Sequence, residues 1–164
     1  MAASTYKPTR LFTVEQANAM LPLVRAITRD IVELANEVME RKQRLELLVK
    51  DRPSRTADVY RDELSLTEEE IDKDVARLQG YVEELMELGV ELKGPLEGLV
   101  DFPTQIDGKP ALLCWKLGEP AVGFWHDLDS GFAGRQPLTD RTCCEPGESD
   151  EAGESGGEFG DSPV

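Results

Sequence analysis

A single histidine, His126, serves the whole chain, and cysteine is nearly as scarce, with three residues of which two are adjacent at Cys143 and Cys144. An odd count with that spacing builds neither a disulfide framework nor a zinc-finger pattern, so reduced, unbridged thiols are expected. Positive charge is in short supply too: 18 Lys and Arg stand against 33 Asp and Glu, for a net charge of -15. A surface of that sign repels phosphate backbones and anionic headgroups, which argues against nucleic acid and against charge-driven membrane binding. No apolar run approaches the ~20 residues that span a bilayer, and Met1 to Arg10 lacks the apolar stretch of a signal peptide. A cytoplasmic protein is the expectation.

What is present falls into three parts. With 164 residues and 40% apolar content, the chain suits one modest domain with a core of its own plus appendages. Residues 1–10 read as a flexible polar arm, residues 11–138 as a single domain, and residues 139–164, rich in Gly, Glu, Ser and Asp, as a disordered acidic tail that cannot recover its ordering entropy.

The first half of the domain carries helix signals. Thr13-Val-Glu-Gln16 has the form of a capping box, and from Met20 through Val24, Ile27, Ile31, Leu34 and Val38 to Leu45 and Leu48 the apolar steps alternate four and three, with Arg41 in the one broken position. Pro22 predicts a short first helix over Val14 to Met20, followed by a kink or a restart. Thr67-Glu-Glu-Glu70 forms a second capping box, and Ile71, Val75, Leu78, Val82 and Leu85 repeat the spacing up to Gly89. Helices are therefore expected over about 14–49 and 67–88, as an antiparallel, coiled-coil-like hairpin. The same seam also suits a homodimer.

The second half reads as strands, with a short one near Val90 to Lys93 and then a meander over about 99–104, 111–117 and 121–127. Asp107-Gly108 is a strong two-residue turn signal; it pairs Ile106 with Lys109 and sets Asp101 opposite Cys114. A second two-residue turn at Gly118-Glu119 would set Cys114 opposite Gly123. In that register one face carries Val100, Phe102, Leu113, Trp115, Leu117, Val122, Phe124 and His126 and belongs to the core. The other carries Asp101, Leu112, Cys114, Lys116, Gly123, Trp125 and Asp127. Pro120 lacks the N–H that closes such a turn, and a longer loop would slip the third strand by one residue and move His126 to the mixed face. The fold class is α+β: a long helical hairpin packed against a small antiparallel meander.

The helix opening LFTVEQANAMLPLVRAI, the linker LGVELKGPLEGLVDFP and the block LLCWKLGEPAVGFWHDLDSGFAGRQPL together resemble an uncharacterised prokaryotic family known only as a domain of unknown function. The resemblance spans about Leu11 to Leu138. It implies no activity and no catalytic residue.

The candidate binding face is therefore read from the residues: Asp101, Cys114, Trp125 and Arg135. Trp125, beside the bare Gly123, would stack on a ligand, and Arg135 would clamp an anion or pair with Asp127 or Asp129. Glu119 and His126 are weak metal candidates, because the spacing matches no standard site and the preferred register separates His126 from Asp101 and Cys114. The reading is a non-enzymatic interaction or ligand-binding module with an unidentified protein or small-molecule partner and no cofactor. The alternative is a metal-binding or thiol-dependent enzyme using Asp101, Cys114, Glu119 and His126.

Overall fold

The computed structural model describes residues 6–50 and 57–139. The acidic tail expected over 139–164 lies, from residue 140 on, outside the described residues, as do Cys143, Cys144 and the first five residues of the arm.

Helix α1 runs from Val14 to Lys50 and helix α2 from Ala57 to Glu87. Thr13 opens α1 as its capping box requires: the Gln16 N–H donates to the Thr13 hydroxyl and the Thr13 N–H donates to the Gln16 side-chain carbonyl, both at 3.1 Å. Pro22 neither breaks nor restarts the helix, correcting the expected short first segment. It sits on the exposed side of α1, where water can take the carbonyl that loses its partner. The second helix begins ten residues before the position expected from Thr67. That residue is interior, its hydroxyl donating to the Glu63 carbonyl at 2.9 Å instead of capping a helix start. At the far end Gly89, with φ of 83°, closes α2: its N–H reaches the Met86 carbonyl and the Val90 N–H reaches the Leu85 carbonyl, a Schellman pair.

The apolar seam closes within the chain. Leu34, Val38 and Ile71 form a buried cluster, with Leu45, Leu78 and Tyr81 packed on it, and Arg41 in the broken position pairs with Asp74 of α2. Leu48, half exposed, lies beyond the seam, and so does Val75, 40% exposed, which the four-three spacing had placed at its centre. Asp74, Leu78, Tyr81 and Leu85 turn toward α1 instead.

Five antiparallel strands follow in the order of the chain: β1 (Glu91–Gly94), β2 (Leu99–Ile106), β3 (Lys109–Lys116), β4 (Phe124–Asp127) and β5 (Gln136–Pro137). Asp107 and Gly108, with φ of 52° and 73°, make the expected turn, and Val100↔Trp115, Asp101↔Cys114 and Phe102↔Leu113 pair as their spacing dictates. Gly98, at φ 75°, precedes β2 where a Cβ would come within 2.6 Å of the Leu117 Cβ, so only glycine fits.

The second corner departs from expectation. The Glu119 N–H donates to the Lys116 carbonyl at 3.0 Å, so the turn centres on Leu117-Gly118, one residue early, with φ of 104° at Gly118. Residues 119–123 then form a loop tied to α1: the Val122 N–H donates to the Asn18 side chain at 2.8 Å and Arg25 donates to the Pro120 carbonyl at 3.2 Å. The third strand of the meander therefore begins at Phe124, not 121, and is shifted by one residue: Cys114 faces Phe124, Leu113 faces Trp125 and Leu112 faces His126. The cause is Pro120, which has no N–H to close the two-residue turn.

The core lies between α1, the end of α2 and one face of the sheet, with Leu21, Val24, Ile31, Leu85, Val100, Phe102, Leu113 and Trp115 among its buried members. Phe12, just before α1, packs edge-on against Phe102 at a ring separation of 5.3 Å, and its N–H donates to the Pro103 carbonyl. Tyr6 hydrogen-bonds through its hydroxyl to the Glu91 carboxylate, so the arm is fastened to β1 from its sixth residue on.

Candidate functional site

Residues directly opposite one another in an antiparallel pair share a face, so the register aligns Asp101, Cys114 and Phe124 in one row and Pro103, Leu112 and His126 in the next. The one-residue shift thus carries His126 out of the helix-facing core and onto the face of Asp101 and Cys114. Asp101, Cys114 and His126 are 2%, 1% and 3% exposed, and their ligand atoms all lie within 4.8 Å of one another.

The imidazole is held at both nitrogens. Nδ1 lies 2.6 Å from the Asp127 backbone carbonyl, which can only accept, so Nδ1 carries a proton and donates it. Nε2 is thereby aimed at Asp101 Oδ2, 3.1 Å away. One proton lies between them, either on the imidazole or on the carboxyl group. Burial raises the Asp101 carboxyl above the usual carboxylate range, against the opposing pull of His126 and Lys93. Cys114 is pushed up to about 12, first by burial and then by the neighbouring Asp101. Its sulfur is a protonated thiol at neutral pH.

A cleft of about 200 Å³ opens over these groups, with Leu99, Leu112, Leu128 and Phe132 as apolar walls and Lys93 and Asp129 at its mouth. Beyond β4 the Asp127 carboxylate accepts from the N–H groups of Asp129 and Ser130, fixing the turn that brings the cleft's outer wall into place. Phe132–Gly134 makes one 3-10 turn, and β5 then pairs with β4.

Of the residues read from the sequence as a binding face, Asp101 and Cys114 come together. Trp125 does not join them: the shifted register turns it to the core side, where it packs against the main apolar cluster. Arg135 borders the cluster, lying 4.0 Å over the Phe124 ring and 4.4 Å over the Phe132 ring while it pairs with Glu119 at 2.6 Å, in place of Asp127 or Asp129. Glu119 is committed to Arg135 and to the Lys116 N–H, and stands outside the Asp101, Cys114 and His126 cluster. His126, ranked weak on the preferred register, is central. Sequence reading also missed the cleft walls and the two rings around Arg135; the Gly131-Phe-Ala-Gly-Arg135 block was the available signal.

Fold and site together define a small α+β domain with a buried carboxylate, imidazole and thiol beneath a cleft. The chain belongs to the family described as "Uncharacterized conserved protein (DUF2203)", whose model matches residues 10–138. No curated protein and no solved structure matches it. Among the described residues no helix is long and apolar enough to cross a membrane.

Proposed function

We propose that the domain is a ligand-binding module whose site is the cleft floored by Asp101, Cys114 and His126. The observation that carries this reading is the convergence of three buried polar side chains from three adjacent strands at the base of a cleft with apolar walls and charged residues at its mouth. At about 200 Å³ the space suits a ligand smaller than a typical drug-sized molecule, whose pockets start near 300 Å³.

A thiol-dependent enzyme is less well supported. A nucleophilic cysteine needs a lowered pKa or a free base, whereas Cys114 is pushed up to about 12 and both imidazole nitrogens of His126 are engaged. Ligand-observed NMR against a library of small polar compounds tests the binding reading. Leu128 stands at the exposed rim, so Leu128→Trp fills the cleft without touching the core. Hits that bind the natural chain and lose at least tenfold in affinity in Leu128→Trp are expected. An absence of hits, or hits indifferent to the substitution, counts against a small-molecule cleft.

A further inference from the structure

We infer that Asp101, Cys114 and His126 form a binding site for one divalent transition-metal ion of the zinc class, with a fourth coordination position opening into the cleft. This rests on the reading of the cleft as a ligand site and names the chemistry that its floor selects.

The donor set is one carboxylate oxygen, one imidazole nitrogen and one sulfur, delivered by β2, β4 and β3 in turn and buried on every member. Bonds of about 2.0–2.3 Å put donor atoms around a tetrahedral ion roughly 3.3–3.8 Å apart. The Nε2 to Oδ2 separation of 3.1 Å is already close to that spacing. The three ligand atoms all lie within 4.8 Å of one another, so closure of at most about one ångström is needed, within reach of side-chain rotation. Magnesium and calcium take all-oxygen shells, whereas a mixed nitrogen, oxygen and sulfur set suits zinc or cobalt.

The surroundings support the same assignment. Metal-bound imidazoles commonly donate their other N–H to a carbonyl or carboxylate, which fixes tautomer and ring orientation. His126 does this already through Nδ1 and the Asp127 carbonyl. The Arg135 guanidinium faces Cys114, and its Nη1 is buried with no hydrogen-bond partner among the described residues. A metal-bound thiolate at Cys114 would accept from it. Binding expels two protons to solvent, the one shared by Nε2 and Oδ2 and the one on sulfur, and the carboxylate and thiolate then balance the charge of the dication.

The experiment uses the full chain without an affinity tag that carries histidine, and with Cys143→Ser and Cys144→Ser to leave one thiol. Cobalt(II) titration should give one ion per chain with a thiolate-to-cobalt charge-transfer band that Cys114→Ser abolishes while the circular dichroism is kept. Because His126 is the chain's only histidine, its ring nitrogen resonances need no variant to interpret. Zinc should shift Nε2 and leave Nδ1 protonated. Cobalt bound without the charge-transfer band, or ring resonances unmoved at saturating zinc, overturns the metal site. If that happens while small compounds still bind in a Leu128-dependent manner, the cleft reading stands alone; if neither metal nor compound binds, both readings fall.

Discussion

His126 Nε2 and Asp101 Oδ2 lie 3.1 Å apart across β3, which runs between their strands, and a single proton serves both. Both side chains are buried at the base of the cleft, so the carboxylate form of Asp101 carries a desolvation cost.

That cost has a sign that stability measurements can read. An unfolded Asp titrates near 3.9, and burial raises the folded value above it, so the folded state holds its proton at pH values where the unfolded chain has lost it. The resulting stabilisation is fully present below the unfolded pKa and is lost as pH rises through the folded pKa. Asp101→Asn keeps a donor toward Nε2 and removes the ionisable group. It should gain stability relative to the natural chain as pH rises from ~4 toward neutral, and the gap should close on acidification. Urea midpoints of the two chains across that range check it, and the difference cancels the other carboxylates. A gap that widens as pH falls would mean that the ionised pair holds the fold together.

Cys114 should be slow to react. At 1% exposure, with its thiol pushed up to about 12, almost no accessible thiolate exists at pH 8. In a Cys143→Ser, Cys144→Ser chain, a disulfide reagent should label the native protein at least a hundredfold more slowly than the urea-unfolded one. Labelling at the unfolded rate would place an open, ionised thiol in the cleft and favour the enzymatic alternative.

Local chemistry explains which features the sequence discloses. Reciprocal bonds between Thr13 and Gln16, positive φ at Asp107 and Gly108, and the Gly89 helix end each depend on a few neighbouring residues, and each stands where its pattern puts it. Asp101 and Cys114 were paired correctly because their register is counted from one strong turn. His126 was not, because its register depends on how a loop containing Pro120 is held by Asn18 and Arg25, roughly a hundred residues earlier in the chain. A one-residue difference at that corner exchanges Trp125 for His126 and so decides whether the face is a stacking platform or a cluster of metal-ligating groups. Thr67 shows the opposite limit: a real local signal overruled by a helix that starts earlier.

The hairpin makes an asymmetric prediction about two residues that the apolar spacing treats alike. Ile31 is fully buried between α2 and the sheet, so Ile31→Ala should cost about 2–5 kcal/mol. Val75 is 40% exposed, so Val75→Ala should cost less than about 1 kcal/mol. Chemical denaturation of the two variants separates them. Equal losses would mean that Val75 is covered in solution, as a second copy packed on the outer side of α2 would cover it.

Arg135 should act as the fastener of the last segment. Its guanidinium lies over two aromatic faces, Phe124 of β4 and Phe132 of the following 3-10 turn, and its edge pairs with Glu119 of the corner loop. Lysine keeps the charge and loses the flat surface that two rings can stack on, together with the second donor of the fork. Arg135→Lys should therefore release the segment without unfolding the domain. The reporter is the Leu138 N–H, which donates to the Gly123 carbonyl at 2.9 Å and fastens the end of the segment to the corner loop. A loss of about 1–2 kcal/mol from the cation–π and ion-pair contacts corresponds to roughly a five- to thirtyfold drop in its hydrogen-exchange protection. Core amides in β2 and β3 should be unaffected, because local opening of an edge strand leaves the central ladder paired. Unchanged protection at Leu138 would show that β5 is held by its backbone pairing with β4 alone, and equal losses at Leu138 and in β2 would show that Arg135 supports the whole domain.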